Sequence, residues 1–123
     1  MEQEFIISRK KLITPSFEIS FEYRIQFVIV YDNIYVVMLD ISDEEGRILS
    51  DVINNIYGIS CSGDILWQIS AGDVPLSIYE RDNAFVGISL TKNNVFHAKS
   101  FFSGDYFFDY KTGRMFSRKS GRW

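Results

Sequence analysis

Polar and apolar positions alternate with a period of two over most of this chain. Phe17, Ile19, Phe21 and Tyr23 are interleaved with Glu18, Ser20 and Glu22. Successive side chains of an extended backbone project to opposite faces, so this stretch predicts a strand with one buried and one wet face. A second apolar run, Ile25 to Tyr31, is β-branched and aromatic, and Ile34 to Leu39 follows it. Asp32-Asn33 lies between the two runs. Both residue types tolerate the positive φ of a tight turn, so the pair predicts a hairpin, with its strands in the central, most buried part of a sheet.

Further hairpins follow the same logic. Ile56–Ser60 and Ile65–Ile69 flank Ser62-Gly63, and Phe85–Leu90 and Val95–Phe101 flank Lys92-Asn93-Asn94. Tyr106–Tyr110 turns through Lys111-Thr112-Gly113 into Arg114–Ser117, and a longer connection over residues 70–82 contains Gly72 and Pro75. Only residues 41–55 turn polar, with Asp43, Glu44, Glu45 and Gly46 as an exposed loop tip. Within that stretch, residues 47–54 carry a helical alternative, one short turn built on Ile48-Leu49 and Val52-Ile53. Turn signals recurring at roughly 8–12 residues indicate an all-β fold, with antiparallel hairpins in a sandwich or a two-blade, propeller-like sheet stack.

Length and composition narrow this reading. The 123 residues fit a single domain spanning 1–123, since ordinary domains run about 100–150 residues. Eleven phenylalanines, seven tyrosines and two tryptophans suit a pleated, buried surface. The single Cys61 has no partner for an internal disulfide or a thiolate metal site. The start, MEQEFIISRKK, does not read as a signal peptide, and no apolar run is long enough for a membrane helix. A cytoplasmic location is the expectation.

An echo runs through the second half. With Gly63 laid over Gly113, Asn55-Ile56-Tyr57 falls on Asp105-Tyr106-Phe107 and Ile65-Leu66 on Met115-Phe116, so residues 55–69 and 105–119 read as an internal repeat. The stretch NIYGISCSGDILWQI, with its tyrosine strand, glycine turn and Leu66-Trp67, resembles the blade repeat of pyrroloquinoline-quinone-type β-propellers. GDYFFDYKTGRMF resembles the Asp-x-x-Thr-Gly turn of the same repeat. That resemblance implies fold rather than chemistry, because a chain this short holds at most two four-stranded blades. A closed propeller with a central cofactor is out of reach, and no cofactor is expected. The order of features from Phe21 to Arg118 also resembles small bacterial proteins of this build, including immunity proteins that neutralise a toxin domain. That likeness implies a cognate toxin as partner.

Motifs for catalysis are sparse. A hydrolytic triad needs a histidine base beside a nucleophile, and His97 is the only histidine. Its alternation with Val95 and Lys99 reads as a residue on a strand surface. Cys61 has no neighbouring base, the glycines are scattered singly at turns, and DISDEEGRILSD lacks the donor order of a calcium loop. Neither a metal nor an enzymatic role is expected, and a small-molecule enzyme stays open only for want of a visible pocket. Trp67 reads as core. Phe101-Phe102 and Tyr106-Phe107-Phe108-Tyr110 put rings on both faces of a hairpin. Either both faces are covered or one is an exposed aromatic patch.

Charge is segregated along the chain. The net charge is −3, yet residues 32–82 carry ten acids against Arg47 and Arg81, and residues 83–123 carry seven bases against Asp105 and Asp109. Carboxylates gathered on one side would steer a basic partner. The expected contact residues are Asp43, Glu44, Glu45, Asp51, Asp64, Asp73, Glu80 and Asp82. The expected function is inhibition of a bacterial toxin, a nuclease, by occlusion of its basic active site. The competing reading uses the other pole. Lys111, Arg114, Arg118, Lys119 and Arg122 interleave with Tyr110, Phe116 and Trp123, a composition suited to single-stranded nucleic acid. Unpaired edge strands also make a homodimer an expectation.

Overall fold

The computed structural model describes residues 4–49, 52–70, 84–101 and 104–120. Its described residues form antiparallel strands and no helix. The first three strands, β1 (Ile6–Ser8), β2 (Lys11–Ile13) and β3 (Glu18–Ser20), make a small meander. A second meander contains β4 (Ile25–Tyr31), β5 (Ile34–Leu39), β6 (Ile56–Ser60) and β7 (Ile65–Gln68). The third contains β8 (Phe85–Leu90), β9 (Phe96–Ser100), β10 (Gly104–Phe108) and β11 (Met115–Ser120). Within each sheet the spatial order follows the chain, as short hairpin turns dictate.

The turns form where the residues permit them. Asp32 and Asn33 both take positive φ between β4 and β5, Gly63 does so between β6 and β7, and Asn94 between β8 and β9. The β10–β11 turn closes with Gly113 at φ 71°, whose N–H donates to the Asp109 carbonyl at 2.7 Å. One turn is less orthodox. Arg9 sits at φ 55° between β1 and β2, a conformation more usual for Gly or Asn.

Alternation along β5 explains how the layers stack. Val36 and Met38 face β8–β11, in a core with Ile56, Trp67, Phe85, Phe96, Tyr106 and Phe108. Tyr35, Val37 and Leu39 face the opposite way and pack with Leu12, Ile25 and Ile59, under Phe17, Ile19 and Phe21 of the small meander. The sheet β4–β7 is therefore a middle layer with two apolar faces, and every residue from Tyr35 to Leu39 is buried. Only β5 of the apolar hairpin is central. Its partner β4 lies at the sheet edge with Gln26 and Phe27 exposed, because β5 and not β4 receives β6 as its second neighbour.

Two joints bind the four-stranded sheets. Ser70 N–H donates to the Gly113 carbonyl and Met115 N–H to the Ser70 carbonyl, each at 2.9 Å, so the end of β7 pairs with the start of β11. Beside this joint the Trp67 indole lies against Gly58 on one side and Gly113 on the other. A Cβ at either glycine would come within 2.3 Å of the ring. The indole Nε1–H donates to the Tyr110 carbonyl at 2.7 Å. At the opposite end, buried Asn55 stands in for a strand. Its Nδ2 donates to the Phe85 and Leu39 carbonyls at 2.9 and 2.7 Å, and its Oδ1 accepts from Phe85 N–H at 2.8 Å. Without that amide two backbone groups of Phe85 would be buried unpaired, at roughly 1–3 kcal/mol each.

The segment 47–49 is extended and not helical. Ile48 bridges Ser42, and Leu49 N–H donates to the Ile41 carbonyl at 2.7 Å. Ile41, Val52 and Ala84 form a small cluster under it, which rewards the extended register. The aligned stretches 55–69 and 105–119 occupy the third and fourth strands of their respective meanders.

Candidate functional site

The connection from β5 to β6 is held by side chains that replace a missing ladder. Asp40 accepts from Ser42 N–H at 2.9 Å and from Ser42 Oγ at 2.7 Å. One Arg24 nitrogen, Nη2, donates to the Asp40 carboxylate and to the Ser42 and Asp43 carbonyls, at 3.2, 3.2 and 2.7 Å. Asp43 builds the tip. Its carboxylate accepts from the N–H groups of Glu45 and Arg47, both at 2.9 Å, and from Arg47 Nε at 3.1 Å. Gly46 supplies the positive φ that closes the turn. The backbone N–H of Arg47 is the chief reason the Asp43 carboxyl is held below the ordinary aspartate range.

This geometry assigns different tasks to three adjacent acids. Asp43 is committed to shaping the loop. Glu44 and Glu45 stand exposed at the tip, Glu44 paired with Arg9 at 3.4 Å and Glu45 with Arg47. Exposed pairs of this kind contribute roughly 0–1 kcal/mol, so a partner can take over either carboxylate at little cost. Below the tip a groove of about 410 Å³ runs between the loop and the small meander, lined by Lys10, Glu22, Tyr23, Arg24, Glu44 and Leu49 among others.

Of the remaining carboxylates of the predicted surface, Asp64 is the one among the described residues, and it does not join this tip. Asp64 lies at the β6–β7 turn, accepting from Ser62 Oγ at 3.2 Å, while its N–H donates to Ser60 Oγ at 3.0 Å. That turn is at the far end of the middle sheet, since Ile34 pairs with Ser60 there and Met38 pairs with Ile56 near the loop. Asp51, Asp73, Glu80 and Asp82 lie outside the described residues. Charge segregated along the chain is also partly mixed in space. Arg9 and Arg24, from a segment with no net charge, fold onto the acidic loop.

The basic hairpin is similarly divided. Tyr110 is occupied, its ring packed on Tyr31 and Phe96 and its hydroxyl donating to Asp32 at 2.6 Å. That hydrogen bond is the main cause that pushes its pKa up to about 12. Lys111 lies over the Tyr110 ring and Arg118 over the Tyr106 ring, at 5.8 and 5.4 Å from the centroids. Phe116 is exposed on edge strand β11. The Lys119 side chain, Arg122 and Trp123 lie outside the described residues.

Register creates one constellation that sequence reasoning missed. On the outer face of β8–β11, His97 Nε2 lies 2.7 Å from Asp105 Oδ1, and its Nδ1 lies 3.4 Å from Ser89 Oγ. Lys99 Nζ approaches the same carboxylate at 3.9 Å, and the Phe107 ring lies 5.3 Å from the imidazole. Three strands contribute, so no local motif could have announced it. Only the pairings Ser89↔His97 and Asp105↔Lys99 bring the residues together. Acyl transfer would also need N–H donors converging on a developing oxyanion. Ser89 lies on edge strand β8, whereas His97 and Asp105 lie on the central strands β9 and β10.

The model of a family described as a domain of unknown function (DUF7957) matches residues 3–120. The chain belongs to the DUF7957 family. Comparison with curated proteins and with solved structures returns no match. For this DUF7957 chain the acidic tip and its groove are the surface that unites predicted contact residues with a defined geometry.

Proposed function

We propose that this chain is a protein-binding inhibitor, an immunity-type protein that occludes the basic site of a cognate bacterial toxin. The supporting observation is the preformed tip at Asp43–Arg47, where Asp43 fixes the backbone and thereby presents Glu44 and Glu45. The hydrogen bonds of Asp43 hold the tip's own backbone, which lowers the ordering cost of association there. The two carboxylates would meet lysines or arginines that the toxin uses to hold phosphates, and steering by their field would accelerate encounter. Asp43 acts as a positioning residue, and the groove beside Lys10 and Glu22 accepts the side chains that flank the basic contact.

Co-expression with the product of the adjacent gene tests this reading. Growth arrest by that product should be relieved by the native chain, and Glu44→Lys with Glu45→Lys should abolish relief while the melting temperature stays unchanged. An adjacent product that is harmless alone, or relief that survives the double charge reversal, would refute it.

A second reading draws on Phe116, which is exposed at 59% and lies between Arg114 and Arg118 on an edge strand. A ring flanked by guanidinium groups is a stacking platform for single-stranded nucleic acid. Salt-sensitive binding of oligonucleotides, lost in Phe116→Ala, would favour it over the inhibitor.

A further inference from the structure

We infer that β1 is the pairing edge of a two-fold symmetric dimer, in which two copies of the small meander join into one six-stranded sheet. This inference is independent of the inhibitory reading.

The hydrogen-bonding parity of the β1–β2 hairpin points to it. Ser8 and Lys11 flank the two-residue turn Arg9-Lys10, with Ile7 paired to Leu12 and Ile6 to Ile13. The residues that close a two-residue turn exchange both hydrogen bonds, and bonded pairs alternate with non-bonded ones. Ile6 and Ser8 therefore spend their backbone groups on β2, whereas Ile7, and Phe5 two residues earlier, aim theirs outward. Among the described residues no strand lies on that side.

Other exposed edges carry devices against self-pairing that β1 lacks. Strand β3 starts at Glu18 and is followed by Glu22, so a second copy would meet like charge. Arg118 lies in β11, with Arg114 just before it. Strand β7 is covered at its end by the Gly113–Met115 pairing, and both β4 and β8 are irregular, with bulges near Gln26 and Val86. Charged strands, bulges and covered ends are the usual protections of an edge. Strand β1 reads Ile-Ile-Ser, with Ile6 exposed at 64% and Ile7 at 38%.

Charge selects the direction and the axis. Glu4 precedes the strand and Arg9-Lys10 follow it, so an antiparallel arrangement sets the acidic start of each copy against the basic end of the other. A parallel one would set like against like. Placing the two-fold axis at Ile6 makes Phe5 and Ile7 of opposite copies the bonded pairs, and brings the two Ile6 side chains into a close non-bonded pair. Ile13 lies beside Ile6 across the hairpin. The joined sheet thus gains an apolar strip of four isoleucines, closed by the symmetry itself.

Sedimentation of the intact chain over a concentration series should show reversible dimerisation with a midpoint on the order of 100 μM, as a small interface allows. Ile6→Lys should leave a folded monomer throughout. In a Cys61→Ser background, Ile6→Cys should crosslink the dimer under mild oxidation, because facing non-bonded residues have Cα atoms about 4.5 Å apart, within disulfide reach. Ile65→Cys in the same background should not. A native chain that is monomeric up to about 1 mM, or a dimer indifferent to Ile6→Lys, overturns the inference. Should Ile6→Lys fail to fold, the crosslink decides: its absence in Ile6→Cys has the same force.

Discussion

The two four-stranded meanders run the same course, strand beside strand, yet β4–β7 is covered on both faces and β8–β11 on one among the described residues. The composition of their second strands records the difference. In β5, Ile34-Tyr-Val-Val-Met-Leu39, nearly every residue is buried, as a strand between two apolar layers requires. In β9, Phe96 and Ala98 point inward, while His97 and Lys99 occupy a polar outer face with Asp105. A shared connectivity therefore supports two environments. The small meander β1–β3 makes the first environment possible, by providing a cover for the face that β5 would otherwise expose to water.

The largest expected effect comes from the joint that the two sheets share. Trp67→Ala removes the indole from between Gly58 and Gly113 together with its bond to Tyr110, and should cost about 3–5 kcal/mol in urea denaturation. A loss below about 1 kcal/mol would mean that the sheets hold together without it. Next, Leu12→Ala probes the cover alone. Leu12 is fully buried against the middle sheet, and its truncation should cost roughly 2–5 kcal/mol. If Leu12→Ala is nearly neutral, the double coverage of β5 is decorative.

Alkaline titration tests the turns where the sheets meet. Tyr110 is pushed up to about 12 by its bond to Asp32. The folded state thus retains a proton that the unfolded chain loses near the ordinary tyrosine value of 10. Its contribution is complete below that value and disappears as pH rises toward 12. Tyr110→Phe should flatten the fall in stability over that window, and a fall of unchanged steepness would exclude this cause. The smallest effect belongs to the open face. Asp105→Asn keeps the shape but removes the charge beside His97 and Lys99, and should change stability by less than about 1 kcal/mol.

Much of the architecture was legible because period-two burial and turn chemistry agree from Ile25 onward. Asp32-Asn33, Gly63, Asn94 and Gly113 announced their turns through residue types that accept positive φ. The β1–β2 hairpin was missed because Arg9 adopts that conformation without being a turn residue, and because each strand is too short to show a period. Residues 47–54 offered a helical pattern; in its described part, 47–49, tertiary contacts overrode it, since Leu49 gained more by packing near Ile41 and Val52, and residues 50–51 lie outside the described residues. The exposed acidic tip was visible as a run of charge, but Asp43's role in shaping it depends on backbone donors at Glu45 and Arg47. The Ser89–His97–Asp105 row depends on register across three strands, which one-dimensional spacing does not encode.

The placement of Trp67 gives the molecule an intrinsic optical gauge. Its indole is screened from water only when the β10–β11 turn has closed over it, so its emission reports the arrival of one meander on the other. With Trp123 replaced by Phe, a red shift preceding loss of the β-sheet circular-dichroism signal would register separation of the layers before the strands themselves dissolve.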